Sequence, residues 1–176
     1  LASVDPWLLA GLLYLGSGAG LALYRLVRHS PAEKLPPKEW GWLAGAIFAG
    51  GVVGPVLLMF GLTGMPASGA ALLLNAEGVS TALLAWFVFH ENFDRRIALG
   101  MAAIVAGALV IGWPGEARFS TTPWPALAVV GACLAWGIDN NLTRKVSLAD
   151  ATWIAMLKGW AAGSVNLALA VWLDAG

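Results

Sequence analysis

Residues 40–62 read WGWLAGAIFAGGVVGPVLLMFGL, a run without one charged side chain. A bilayer core about 30 Å thick takes about 20 residues of helix, so this run is long enough to cross it. Similar runs recur on both sides. Hydrophobic residues are 59% of the chain and charged ones 11%, against about 25% charged in ordinary soluble domains, and mean hydropathy is +0.76. A soluble fold could not cover so much apolar surface. Six spans are predicted, at about 6–27, 40–62, 66–89, 96–113, 123–143 and 151–173, lettered A to F, each bounded by proline, glycine or polar residues. The strict alternation of a β-barrel strand is absent. The fold class expected is all-α, a polytopic transmembrane helical bundle.

Positive loops stay on the cytoplasmic side of a membrane, and the loops here are lopsided. Arg25, Arg28, Lys34 and Lys38 fall between A and B, Arg95 and Arg96 between C and D, and Arg144 and Lys145 between E and F. The other side has Arg118, and Lys158 lies inside F. Loops 28–39, 90–95 and 144–150 are therefore expected in the cytoplasm, in a bacterial inner (plasma) membrane. Both ends then lie outside, yet the chain opens on Leu1 without a signal peptide, which predicts at least one further span upstream. Zero formal net charge gives no reason to expect a nucleic-acid partner.

Glycines four residues apart let helix backbones approach: Gly16 and Gly20 in A, Gly41 with Gly45 and Gly50 with Gly54 in B, Gly159 and Gly163 in F. Simple packing and sliding surfaces are the two readings of that spacing. Pro55 follows Gly54 mid-span, where a missing N–H and a ring clash kink a helix, so Gly54 and Pro55 are expected to form a hinge. The lone cysteine, Cys133, reads as packing.

From Gly50 to Trp113, and most of all in EGVSTALLAWFVFHENFDRRIALGMAAIVAGALVIGW (77–113), the chain resembles the EamA repeat of the drug/metabolite transporter superfamily. The shared features are a span ending in small and aromatic residues, Glu91 at its end, a short basic loop at Arg95 and Arg96, and an Ile/Gly/Ala/Val span closing near Gly112 and Trp113. The resemblance implies a ten-span transporter built from two inverted five-helix repeats. Spans A to D (1–113) then correspond to spans two to five of the first repeat, residues 114–122 to an external linker, and E and F (123–176) to the start of the second. Where many members carry a proline after the glutamate, this chain has Gly78.

Glu77 lies 11 residues after Pro66, about 16 Å along a helix and so near the midplane. A charge there costs at least about 2.5–3.5 kcal/mol, which drives such a side chain toward a bundle interior or a watery cavity. It is a candidate proton carrier or substrate contact, with Asn75, Ser80 and Thr81 as neighbouring hydrogen-bonding groups. The alternative is a protonated acid acting as structural glue. Asp139, Asn140 and Asn141 cover most of the circumference at the inner end of E, so at least one is expected to point inward, the alternative being an interfacial cluster paired with Arg144 or Lys145. Lys158 either snorkels or pairs with Asp139 or Glu77. Asn166 reads as a helix-to-helix hydrogen bond. Trp7, Trp40, Trp42, Trp113, Trp124, Trp153 and Trp172 form an interfacial belt; Trp86, Trp136 and Trp160 lie deeper, as packing or as the lining of a solute path.

Equipment for catalysis is absent from the sequence: His29 and His90 lack metal-site spacing, and neither a cysteine cluster nor a phosphate loop occurs, so no cofactor or metal is expected. The function expected is secondary transport, export or uptake, of small organic metabolites or drugs by alternating access, with a proton as candidate coupling ion. A small-molecule substrate and membrane lipid are the expected partners, with a homodimer as a further candidate. The competing reading is a membrane assembly or sensor subunit.

Overall fold

The computed structural model describes residues 5–30, 35–92, 94–112, 122–146 and 150–174. All regular structure among them is helical: α1 (Pro6–Val27), a 3-10 turn (Pro37–Glu39) leading into α2 (Trp40–Ala46), a π-helical stretch (Ile47–Val53), α3 (Gly54–Gly64), α4 (Ala67–Leu74), α5 (Ala76–Phe87), α6 (Arg95–Gly112), α7 (Trp124–Arg144) and α8 (Ala151–Asp174). The six expected spans thus appear as α1, the α2–π–α3 column, the α4–α5 column, α6, α7 and α8. Among the described residues four columns are long and apolar enough to cross a membrane: Trp7–Val27, Pro37–Gly64, Ala67–Phe87 and Ala151–Leu173. In α7, the Asp139-Asn140-Asn141 run adds polarity near the end. The expected linker at 114–122 lies outside the described residues, save Thr122.

Aspartates set three of the helix starts. Asp5 accepts a bond from the Leu8 N–H at 2.9 Å, Asp94 from Arg96 and Ile97 at 2.7 and 3.0 Å, and Asp150 from Thr152 and Trp153 at 2.7 and 3.1 Å. Each satisfies amide donors that the first turn leaves without partners. Two helix exits turn through a histidine in the left-handed region, His29 at φ 51° and His90 at φ 54°.

The chain divides into two compact units, Leu1–Val52 with Leu142–Gly176, and Val53–Asn141. In the first, α8 runs antiparallel to α1, because Gly11 meets Leu167, Leu15 meets Gly163, Gly18 meets Trp160 and Arg25 meets Thr152. It runs parallel to α2 and the π segment, where Trp40 meets Trp153 edge-on at 6.0 Å and Gly51 faces Ala162. The seam with α1 is glycine against glycine: a Cβ on Gly159 would lie 2.8 Å from the Gly18 nitrogen. Gly159 and Gly163 are used as their spacing predicts. On α1 the seam uses Gly11 and Gly18; Gly16, Gly20 and Gly41 face open space, a correction to the expected packing faces.

In the second unit, α3 runs antiparallel to α7 through Gly54 on Trp136, Leu57 on Gly131 and Gly61 on Val129. The α4–α5 column runs parallel to α7, with Leu73 near Cys133 and Thr81 near Gly137. Met65, Ala70 and Val129 form the buried core there, with Leu58, Leu73 and Leu74 around it.

Candidate functional site

The polar cluster of the second unit is built on that parallel pairing of α5 and α7. Gly137 is what brings the helices together: a Cβ there would lie 3.1 Å from the Thr81 nitrogen and 3.3 Å from the Ser80 carbonyl carbon. Asn140 and Asn141, a turn further along α7, therefore reach Glu77 and Thr81 of α5. The Asn140 Nδ2 donates to Glu77 Oε1 at 3.2 Å and to Thr81 Oγ1 at 3.2 Å. Asn141, 1% exposed, donates its Nδ2 to the Thr81 carbonyl at 3.0 Å and to its own helix at Gly137 at 2.8 Å. Its Oδ1 is buried without a partner among the described residues.

Four of the residues expected at a functional site, Glu77, Thr81, Asn140 and Asn141, are thus joined by hydrogen bonds, and Ser80 is buried beside them. Glu77 is half-buried in the first turn of α5, where a helix dipole favours an anion. Among the described residues it takes one side-chain hydrogen bond, from Asn140, and no ion pair. One neutral amide at 3.2 Å offsets only part of what a carboxylate loses on leaving water. Glu77 thus presents a carboxylate beside a single neutral side-chain donor.

The other expected residues lie elsewhere. Asn75 turns back on its own helix, its Nδ2 donating to the Ala71 and Leu72 carbonyls at 3.2 and 3.1 Å, and marks the interruption between α4 and α5. The Cys133 thiol donates to the Leu73 carbonyl at 3.5 Å, just before that interruption. Asp139 is buried. Lys158 donates to Thr143 Oγ1 at 3.3 Å, within the first unit. Of the deeper tryptophans, Trp136 covers Gly54, whereas Trp86 and Trp160 are exposed. Among the described residues no three His, Cys, Asp or Glu side chains gather to hold a metal ion.

Composition had singled out the charged residues, but it gave no weight to one cluster in the first unit. Arg25, buried on α1, pairs with Asp150 at 2.9 Å and donates to Thr152 Oγ1 at 2.9 Å. Thr152 in turn donates its hydroxyl to Asp150. That bond, with the Trp153 amide and then Arg25, holds the Asp150 carboxyl below the usual carboxylate range. The signal in the sequence was the Asp-Ala-Thr start of α8, which reads as a helix cap.

Long apolar helices, four of them among the described residues long enough to cross a bilayer, define an integral membrane protein of the polytopic helical class. Residues 1–113 match the EamA-like transporter family, and the chain belongs to that family. An uncharacterized transporter from Methanothermobacter thermautotrophicus is 30% identical over 122 residues, 66% of this chain and 35% of its own length. A probable 4-amino-4-deoxy-L-arabinose-phosphoundecaprenol flippase subunit ArnE from Pseudomonas fluorescens is 33% identical over 104 residues, 59% of this chain and 90% of its own length. One solved crystal structure shares the fold at a TM-score of 0.79 and 20% identity, over 97% of this chain and 59% of its own. The chain thus spans about a third of that transporter and three-fifths of that solved chain.

Proposed function

We propose that the chain works as part of a secondary transporter for small organic molecules, in which Glu77, held by Asn140 and flanked by Thr81 and Asn141, binds a proton or a donor group of the solute. The observation that carries this is a carboxylate within an apolar column whose sole side-chain bond among the described residues comes from a neutral amide. Membership of a transporter family supports it. Alternating access between two inverted repeats, a ten-span whole and cytoplasmic placement of loops 28–39, 90–95 and 144–150 belong to the same reading, supported by the basic residues of those loops and by the partial coverage of longer relatives.

A second reading is favoured by the match to nine-tenths of a flippase subunit: the chain acts with a partner subunit on a lipid-linked solute. Both are tested with full-length protein in vesicles, following a pH-sensitive dye and radiolabelled amino acids or amphipathic amines, with and without an imposed pH gradient. Glu77→Gln should abolish the dependence of solute movement on the gradient. Wild-type rates in that variant would remove Glu77 from the mechanism. Inactivity alone, with flipping of a lipid-linked sugar phosphate restored by a co-expressed partner, would establish the second reading.

A further inference from the structure

The π-helical stretch Ile47–Val53 lies directly before Gly54 and Pro55. Pro55 has no N–H, so the carbonyl four residues back, that of Gly51, cannot receive the bond an α-helix would give it, and the ring crowds that carbonyl. Widening of the ladder to the i→i+5 pattern is one way a helix absorbs such a clash. A carbonyl left without a donor in an apolar span costs several kcal/mol. Here a donor comes from another helix: Asn166 of α8, wholly buried, donates Nδ2 to the Gly51 oxygen at 3.1 Å and to the Ala162 oxygen at 2.8 Å. Gly51 itself makes the approach feasible, since a Cβ there would lie 2.8 Å from the Ala162 Cβ.

We infer that Asn166 is the substitute donor for Pro55, a positioning residue that holds the π segment in register, and that letting go of Gly51 is how this column bends. Two features make the hold reversible. Both amide hydrogens are spent on carbonyls, while Asn166 Oδ1 is buried and without a partner among the described residues. An unpaired buried acceptor raises the free energy of the held state, which lowers the cost of leaving it. The use of the bend in moving a solute rests on the transport reading above; the exchange of one amide donor for another does not.

The test is a double-mutant cycle on the full-length protein in detergent, with Asn166→Ala, Pro55→Ala and the pair, read by amide hydrogen exchange and thermal unfolding. Asn166→Ala should speed exchange in the 47–58 segment by about tenfold while leaving residues 8–24 of α1 unchanged. Pro55→Ala restores a backbone donor, so in that background the same change should speed exchange less than about threefold. Equal acceleration in both backgrounds, or acceleration spread over the whole chain, overturns the inference. If Asn166→Ala alone does not accumulate, Pro55→Ala should restore a monodisperse product, and failure to do so counts equally against it. Glu77→Gln should leave the 47–58 exchange pattern unchanged, so this inference and the role of Glu77 fail separately.

Discussion

Asn166 in the first unit and Asn141 in the second make the same pair of bonds. Each donates to the carbonyl four residues back on its own helix and to a carbonyl on a helix packed parallel to it, Gly51 for one and Thr81 for the other. Each leaves its own oxygen unpartnered. The units differ in what becomes of charge. In the first, Asp150 is paired with Arg25, capped onto α8 and bonded by Thr152. In the second, Glu77 has a neutral amide. Side-chain amides therefore serve as ordinary helix-to-helix fasteners in both units, and they do not distinguish a site. The proposed transport role rests instead on Glu77, whose one side-chain hydrogen bond among the described residues comes from a neutral amide.

The strongest way to break this comparison is to enlarge the glycine at each close approach. A Cβ on Gly159 would meet the nitrogen and Cα of Gly18 and the Tyr14 oxygen, at 2.8–2.9 Å, all of them backbone. Gly159→Val should therefore cost about 3 kcal/mol or more and lower the unfolding midpoint by at least roughly 6 °C. At Gly137 the nearest contacts are looser, 3.1–3.3 Å, and one is the flexible end of Leu84. Gly137→Val should cost about 1–2 kcal/mol and also draw the Asn140 amide away from Glu77, so gradient dependence of transport should fall further than stability does. Gly16→Val, facing open space, serves as the control and should change little.

Opposite signs are expected when the two carboxylates are neutralised. Glu77→Gln removes a charge that lacks a cation partner among the described residues, and the folded protein should gain about 1–2 kcal/mol. Asp150→Asn should lose stability, because the residue accepts from two amides, a hydroxyl and a guanidinium. The pH dependence follows from the lowered folded-state value of Asp150. Its stabilisation is complete above the unfolded carboxyl value of about 3.9 and disappears as pH falls through the lower folded value. Unfolding midpoints recorded from pH 5 to pH 2.5 should fall less steeply in Asp150→Asn than in the parent. Parallel curves would show that the Asp150 network contributes nothing to acid stability.

These two units also show what could be read from the sequence and why. The columns were legible because apolar runs of about 20 residues with few charges have few soluble interpretations; Gly54 and Pro55 were expected to form a hinge, and a π-helical stretch lies directly before them. Glu77, Thr81, Asn140 and Asn141 stood out as polar groups in apolar surroundings, and the fold joins them by hydrogen bonds. Spacing alone did not tell which glycines face a partner: Gly16 and Gly20 share the four-residue interval of Gly159 and Gly163, yet only the latter pair meets another backbone. The face a helix buries depends on its neighbour, which local sequence does not contain. For the same reason Asn75 looked like a site residue but bonds to its own helix, and Asn166 read correctly as a fastener without its target carbonyl being visible.

The smallest effect concerns the two helix exits. His29 closes α1 in the first unit and His90 follows α5 in the second, both in the left-handed region, where an L-residue is strained by about 1–2 kcal/mol. Glycine relieves that strain but gives the unfolded chain more freedom, which takes back about 0.4–1 kcal/mol. His90→Gly should therefore gain about 0.5–1 kcal/mol. His29 differs in that its Nδ1 lies 3.1 Å from the Val27 carbonyl, a contact that glycine deletes. The Ser30 amide keeps its 3.0 Å bond to the Arg25 carbonyl in either case, so the turn itself survives. His29→Gly should accordingly gain less than His90→Gly, with the difference resolved by paired thermal unfolding. Equal gains would mean that the exposed ring contact at Val27 adds nothing, and that the two exits differ only in sequence.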